Sequence, residues 1–212
     1  MNLEQARLNM VQQQVRTWDV FEQSILDRLL EVPRENFVPP VFKNLAYADT
    51  QIPIGHGQIM LSPNFEGRLL QSLNLQKTDS VLEVGTGTGY LTVVLSGLVN
   101  SVTSVDIYPN LQRLGENYPS NISLQTKDIA GGWIQEGGFN AIIISGALAT
   151  LPKSFLQALH INGRLFAILG QGAAMKATLI TRIEVEKWSY EELFETSLPF
   201  LINSTIKSNF DF

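Results

Sequence analysis

The chain has 212 residues, of which 44% are hydrophobic and 17% are charged, and its mean hydropathy is +0.06. This length and composition exclude a disordered chain and favour one elaborated domain over two. The net charge of −5 disfavours binding to nucleic acid or anionic membranes, and the absence of cysteine excludes disulfides, thiolate nucleophiles and Cys-ligated zinc. His56 and His160 are too few for the usual catalytic metal cluster, so no metal is expected.

The first 62 residues are predicted to form an N-terminal helical cap and an ordered loop region. Apolar residues at helical spacing predict one helix from Leu3 to Trp18 and a second from Phe21 to Leu30. The predicted apolar face of the first helix comprises Leu3, Met10, Val11, Val15 and Trp18. Residues 32–62 carry too many prolines and glycines for long elements and are too apolar for a disordered linker. The apolar area of the two helices fits a dimer face as well as a cap, so monomer and homodimer both stay open.

The sequence offers no targeting or membrane segment. The N-terminus carries early charges and lacks the apolar core of a secretory signal. The longest uncharged apolar stretch, Phe139 to Leu151, is shorter than the ~20 residues that span a bilayer. We therefore expect a cytoplasmic protein that does not bind membranes.

From Pro63 onward, helical patterns alternate with apolar strands. Ser62 and Pro63 predict an N-cap and the first position of a helix. Strands are predicted at 80–84, 102–106, 141–144 and 164–169, the last after an Asn162-Gly163 turn, and helices at 90–99 and from Pro109 and Pro152. This pattern indicates an α/β fold with a doubly wound, mostly parallel Rossmann-like sheet and helices on both faces. Alternating residues from Ala177 to Ile206 predict antiparallel strands at the edge, so we divide one domain into residues 1–62, 63–170 and 171–212.

The strongest motif is a strand that runs into a Gly-x-Gly-x-Gly turn and then a helix, at residues 81–90. Such glycines let a ligand approach main-chain N–H groups at a helix N-terminus. The dinucleotide fingerprint needs a third glycine where this chain has Tyr90, and the lysine of a P-loop is absent. The motif therefore predicts a ligand site without a pyrophosphate.

Two carboxylates extend this prediction. Asp106 ends the next strand, where a carboxylate can accept both hydroxyls of a ribose. Glu83 lies inside an apolar strand, which is costly unless a group pairs with it. The amides of the glycine turn and the amino end of a ligand are its candidate partners. Together these residues predict an adenosine site without phosphates.

The strand and glycine turn resemble the first motif of class I S-adenosylmethionine-dependent methyltransferases. Over roughly residues 4–170 the chain resembles the protein-L-isoaspartate O-methyltransferase family more closely. The matching segments are Val32–Pro39, Ala46–Asp49, Ile52–Gln58, the glycine turn with Tyr90, Asp128, Gly132-Trp133, Phe139–Ile144 and Asn162–Leu165.

The resemblance implies transfer of a methyl group from S-adenosylmethionine to a carboxylate of isoaspartyl residues in damaged protein or peptide. The cofactor-binding residues that it implies are Glu83, Gly85, Thr86, Gly87, Gly89, Asp106, Ile107, Asp128 and Ile129, with Asp106 at the ribose and Asp128 and Ile129 at the adenine. The substrate-side residues that it implies are Gln58, Ile59, Leu61 and Ser62. His56 is expected to be an ordinary loop histidine with no nearby partner.

The chain departs from the family on the substrate side. Leu61 occupies the position of the family's serine, whose hydroxyl lies beside the transferred methyl group, so no catalytic residue is assigned. Loss of that hydrogen bond to a carboxylate would cost about 1.5–3 kcal/mol. Ser62 is one residue late and is expected to cap the following helix. Asn140 replaces a usual aspartate, and the family's C-terminal substrate-side segment is only echoed by Leu198–Leu201.

Three functions stay open at this point. The first is an isoaspartyl methyltransferase, with activity reduced by Leu61. The second is a non-catalytic S-adenosylmethionine-binding protein. The third is a methyltransferase for a different acceptor, because one fold hosts many functions.

Overall fold

A seven-stranded sheet forms the centre of the computed structural model, which describes residues 2–112, 118–134, 138–172 and 175–204. In spatial order its strands are β5 (Ile122–Thr126), β4 (Ser101–Asp106), β3 (Ser80–Val84), β6 (Phe139–Leu148), β7 (Leu159–Leu169), β8 (Met175–Glu184) and β9 (Lys187–Thr196). The strands from β5 to β7 are parallel, and β8 and β9 add antiparallel pairs at one edge. The predicted mostly parallel sheet with antiparallel C-terminal strands is confirmed.

Helices cover both faces of this sheet. They are α1 (Leu3–Asn9), α2 (Gln23–Glu31), α3 (Pro63–Ser72), α4 (Tyr90–Ser96) and α5 (Lys153–Gln157). Alternate side chains of each strand point to opposite faces, so Val81 and Leu82 belong to different cores. One core includes apolar side chains of α2, α3 and α4, and the other includes Phe155 and Leu156 of α5. None of the described helices is both long and apolar enough to cross a membrane.

The first predicted helix is continuous but irregular. It consists of α1, a π-helical turn over Met10–Gln14 and a 3₁₀ turn over Val15–Trp18. Of the predicted apolar face, Met10, Val11 and Val15 are buried, whereas 50% of Trp18 is exposed. The change of helix type breaks the 3.6-residue period, so a face extrapolated from α1 no longer points inward at Trp18.

Helix α3 begins at Pro63, as predicted, but the predicted cap is wrong. The Ser62 side chain makes no capping hydrogen bond. The Asp49 carboxylate instead accepts from the Asn64 backbone N–H at 3.3 Å and from the Asn64 side-chain amide at 2.8 Å. A carboxylate brought from the preceding loop thus satisfies an amide that the local sequence assigned to serine.

Several boundaries differ from the sequence prediction. Helix α4 ends at Ser96, three residues before the predicted end. The helix predicted from Pro109 is a 3₁₀ turn over Pro109–Leu111, and residues 113–117, like Ile206 of the predicted tail, lie outside the described residues. Strand β5 was not predicted, although its alternating apolar residues were a signal. The Asn162-Gly163 pair lies within β7, where Asn162 has φ 67°, and does not form a turn before that strand.

The loop region contains an antiparallel hairpin that sequence reasoning did not identify. Strands β1 (Ile52–Gly55) and β2 (Gln58–Met60) are joined at His56 and Gly57, and both residues have positive φ. Two short 3₁₀ helices, Arg34–Asn36 and Pro40–Leu45, precede the hairpin. The region is therefore ordered, as expected, but by short elements.

The packing of the N-terminal cap on α3 can be tested at Gly67. A Cβ atom on this residue would lie 2.6 Å from Val15 Cγ1 and 3.2 Å from Val20 Cγ2. We expect Gly67→Ala to lower the free energy of unfolding by about 1–3 kcal/mol in urea titrations, because overpacking outweighs the gain in helix propensity. Gly131→Ala is the control, because nothing lies within 4 Å of its added Cβ. Equal stability of the two variants would contradict this packing.

Candidate active site

A crevice opens at the carboxyl ends of β3, β4 and β6, beneath the β1–β2 hairpin. Its free volume, including solvent at the mouth, is about 620 Å³. Carboxyl ends of parallel strands are the usual ligand sites of open α/β sheets. The predicted site residues that line it are Gln58, Ile59, Gly85, Gly87, Asp106, Ile107, Asp128 and Ile129.

A second crevice of about 330 Å³ adjoins the first and shares with it Ile54, Ile59, Gly85, Gly87 and Ser145. The other predicted residues that line it are Leu61, Glu83 and Thr86. Gly89 lines neither crevice and caps α4 with φ 87°. Ser62 lines a separate cavity of about 550 Å³, beside Phe65 and Arg68. The structure thus brings together all the predicted residues except Gly89 and Ser62.

Backbone conformation and space both favour glycine at the turn. Gly85 has φ 99° and Gly87 has φ 52°, a region that L side chains rarely adopt. A Cβ on Gly85 would lie 3.3 Å from Ser145 Cβ, and one on Gly87 would lie 3.3 Å from Ile54 Cδ1. Side chains at these positions would fill the space that the two crevices share.

Asp106 is held by backbone amides at the end of β4. One carboxylate oxygen accepts from the Gly87 N–H at 2.7 Å and the other from the Tyr108 N–H at 2.8 Å. Each oxygen keeps lone pairs that can accept from a ligand hydroxyl. The glycine turn therefore orients Asp106 toward the first crevice.

Glu83 is fully buried and only half paired. Its Oε2 accepts from the Thr92 hydroxyl at 2.5 Å and from the Ser104 hydroxyl at 2.6 Å, whereas Oε1 has no hydrogen-bond partner among the described residues. Parallel pairing places Ser104 directly beside Glu83, so the predicted pairing with glycine-turn amides is wrong. Burial raises the pKa of the Glu83 carboxyl from 4.5 to about 8, although the two hydroxyls lower it.

A buried ion pair lies behind Leu61. Arg34 is fully buried and donates to the Glu66 carboxylate and to the Leu61 carbonyl, while its guanidinium lies 4.6 Å from the centre of the Tyr90 ring. Burial raises the pKa of the Glu66 carboxyl to about 7, although the Arg34 guanidinium lowers it. This pair fixes the backbone of Leu61. The signal for this ion pair in the sequence was weak. Arg34 and Tyr90 belong to motifs of the family that the chain resembles, but nothing in the sequence linked either residue to Glu66.

The hairpin tip is attached to the far side of the first crevice. The His56 ring stacks on Tyr108, with centroids 4.0 Å apart and planes 8° apart, and His56 Nε2 lies 3.2 Å from Asn110 Nδ2. His56 is exposed, as a loop histidine should be. The expectation that it has no partner is wrong, because its partners follow β4 and are remote in sequence.

The C-terminal segment forms another wall. Ala147 N–H donates to the Pro199 carbonyl and Leu201 N–H donates to the Ala147 carbonyl, both at 2.9 Å. Leu201 and Ile202 line the first crevice, and the Asn203 amide donates to the Asp128 carboxylate at 2.7 Å. The segment that only echoes the family's C-terminal pattern therefore lies at the site.

Asn140, in contrast, is remote from both crevices. Its Oδ1 accepts from the Ser80 N–H at 2.9 Å and from the Ser80 hydroxyl at 3.0 Å. Both residues lie at the amino ends of their strands, whereas the crevices lie at the carboxyl ends. The interpretation of Asn140 as a change on the substrate side is therefore wrong.

The chain is similar to one family throughout this region. The model described as "Protein-L-isoaspartate(D-aspartate) O-methyltransferase (PCMT)" matches residues 5–198. A curated protein-L-isoaspartate O-methyltransferase of Syntrophotalea carbinolica is 32% identical over 195 residues, which cover 90% of each chain. That of Proteus mirabilis is 37% identical over 159 residues, which cover 73% of this chain and 76% of the relative.

Solved structures agree on the fold. The crystal structure of a Plasmodium falciparum protein described as a putative protein-L-isoaspartate O-methyltransferase, in complex with S-adenosyl-L-homocysteine, superposes with a TM-score of 0.77 at 20% identity. The match covers 95% of this chain and 98% of that one. At this identity the likeness shows the fold alone.

The burial of Glu83 predicts a pH dependence of stability. Between about pH 4.5 and pH 8 the folded state holds a proton that the unfolded state has lost, so the free energy of unfolding falls as the pH rises. We expect Glu83→Gln to lack this pH dependence. Its free energy of unfolding should therefore rise relative to that of the unsubstituted protein by about 1 kcal/mol for each pH unit in this interval. Urea titrations across the interval measure it. Glu191→Gln, at an exposed position, serves as the control. Parallel curves of the free energy of unfolding against pH for all three proteins would contradict the raised pKa of Glu83.

Proposed function

Since the chain belongs to the protein-L-isoaspartate O-methyltransferase family, we propose that it transfers a methyl group from S-adenosylmethionine to the carboxylate of isoaspartyl residues in damaged protein. One observation carries the site assignment: Asp106, oriented by the amides of Gly87 and Tyr108, faces an open crevice at a glycine turn that lacks the lysine of a P-loop.

The residues at the crevice fit the donor. Asp106 would accept the ribose hydroxyls, and Asp128 and Ile129 would border the adenine. Gly85 and Gly87 leave room for the methionine part, and the unpartnered Oε1 of Glu83 is available to its ammonium group. When bound, S-adenosylmethionine supplies a methyl group on a positively charged sulfur.

No general base is needed for this reaction. An aspartyl carboxylate has a reference pKa of ~3.9 and is already ionised at neutral pH. The contribution of the chain is then to align the acceptor oxygen with the methyl carbon and the sulfur, which can lower the barrier by about 7–11 kcal/mol. The reaction therefore requires no catalytic triad.

The acceptor side is where we propose reduced activity. Leu61 is buried in the apolar core, and its carbonyl is occupied by Arg34. Position 61 therefore offers the acceptor carboxylate no hydroxyl that could donate a hydrogen bond. We propose turnover about 10- to 100-fold below that of a chain with serine at this position, the equivalent of one charge-assisted hydrogen bond.

We further propose that the chain works as one methyltransferase domain, with residues 1–62 as cap and substrate-side loop, 63–170 as the donor-binding core and 171–212 as edge strands. Its acceptors would be proteins or peptides in the cytoplasm. The net charge of −5 supports such acceptors over nucleic acid. Analytical ultracentrifugation distinguishes monomer from homodimer.

The decisive experiment offers methyl-labelled S-adenosylmethionine and a peptide with one isoaspartyl residue, and scores base-labile label on the peptide. Calorimetry with S-adenosylmethionine alone accompanies it. Donor binding without label transfer would leave a non-catalytic binding protein or a different acceptor. Absence of donor binding would overturn all three functions.

Asp106→Ala tests the donor site within this experiment. We expect donor binding about 10- to 100-fold weaker, because one carboxylate loses two ribose hydroxyls. Asp27→Ala, at an exposed position on α2, is the matched control and should bind as the unsubstituted protein does. A circular dichroism spectrum checks that Asp106→Ala is folded. Equal donor affinity of the two variants would show that Asp106 does not bind the ribose.

Leu61→Ser tests the proposed loss on the acceptor side. We expect higher kcat/KM for the isoaspartyl peptide, because a hydroxyl returns beside the transferred methyl group. The variant also loses a buried side chain, so its free energy of unfolding should fall by about 2–5 kcal/mol. Rates are therefore compared at a temperature where both proteins are folded. Unchanged or lower turnover would show that position 61 does not contact the acceptor.

A further inference from the structure

The parallel pairing of β6 with β7 is interrupted at the crevice. Ile143 pairs with Phe166 and Ala147 with Ile168, so three residues of β6 oppose one residue of β7. Bulges of this kind redirect side chains and are frequent beside active sites. Ser145 lies at the centre of this bulge.

The Ser145 hydroxyl is buried and unpartnered. Its Oγ atom is inaccessible to solvent and has no hydrogen-bond partner among the described residues. The residue lines both crevices, opposite Gly85. An inaccessible hydroxyl without a partner is unfavourable in the free protein, by about 1–3 kcal/mol, and becomes favourable if a ligand accepts from it.

Other hydroxyls of the second crevice are already engaged. Thr86 Oγ1 lies 2.6 Å from Ser104 Oγ, and Thr88 Oγ1 contacts the sulfur of Met60 at 3.8 Å. The Tyr90 ring packs against the Arg34 guanidinium, which lies 4.6 Å from the ring centre. Among the hydroxyls in the described part of this crevice, Ser145 is the one whose oxygen is inaccessible to solvent and has no hydrogen-bond partner.

We propose that Ser145 donates a hydrogen bond to the acceptor carboxylate and thereby supplies part of what Leu61 lacks. Both residues line the second crevice, so the hydroxyl approaches from the β6 side of a space that Leu61 borders. A hydrogen bond to one carboxylate oxygen positions the acceptor and leaves the other oxygen free to attack the methyl carbon. This role rests on the proposed isoaspartyl function.

The test is Ser145→Ala in the full chain. We expect kcat/KM for a peptide with one isoaspartyl residue to fall about 10- to 100-fold, while the Kd for S-adenosylmethionine changes less than twofold. Ser72→Ala is the matched control, because its hydroxyl donates to the Leu69 carbonyl on α3 and Ser72 lines neither crevice. The control should change neither quantity.

The double variant Leu61→Ser with Ser145→Ala adds a readout that a structural role would not move. If both hydroxyls serve one carboxylate, Leu61→Ser should raise kcat/KM more in the Ser145→Ala background than in the unsubstituted protein. Additive effects would overturn the shared role. A loss of donor affinity equal to the loss of kcat/KM would also overturn the proposal, because Ser145 would then serve the donor.

Peptide binding separates this inference from the proposed function. The probe is the same isoaspartyl peptide, titrated into protein saturated with S-adenosylhomocysteine. Weaker peptide binding by Ser145→Ala than by Ser72→Ala supports the inference. Equal binding by both overturns the inference and leaves the proposed function intact. No peptide binding or methylation by the unsubstituted protein overturns both.

Discussion

The site depends on the parallel register of β3 between β4 and β6. This pairing brings the ends of three strands to one edge, so the glycine turn, Asp106 and Ser145 become neighbours although they are far apart in sequence. It also places Ser104 beside Glu83, where its hydroxyl offsets part of the cost of a buried carboxyl. The backbone hydrogen bonds between β3, β4 and β6 therefore position the residues at this edge.

The buried guanidinium of Arg34 joins the N-terminal region to this edge of the sheet. Arg34 reaches the Glu66 carboxylate, the Leu61 carbonyl and the face of Tyr90, which follows the glycine turn. A guanidinium removed from water needs these partners, because an unpaired buried charge is strongly destabilising. The cap, α3 and the glycine turn thus share one buried cation. The departure at position 61 consequently occurs on a backbone that is rigidly positioned.

Sequence reasoning succeeded where the signal was local and repeated. The apolar runs of β3, β4, β6 and β7 predicted the sheet, and the predicted residues of the glycine turn lie at the carboxyl ends of its strands. It failed where the hydrogen-bond partner of a residue is remote in sequence. Asp49 caps α3 in place of Ser62, and Asn140 accepts from Ser80 at the amino ends of the strands. Ser145 could not be recognised, because a bulge depends on the register of two strands and leaves no periodic signature.

The segment around Leu201 has a consequence for the order in which the molecule is made. Pro199 and Leu201 bond to Ala147, but they follow the central strands in the chain. The central strands can therefore pair on a nascent chain before this segment leaves the ribosome. A partly synthesised molecule would then possess the sheet and the glycine turn, but its nucleoside pocket would lack one side. We therefore expect a chain that lacks this segment to bind S-adenosylmethionine more weakly and to be stabilised less by it.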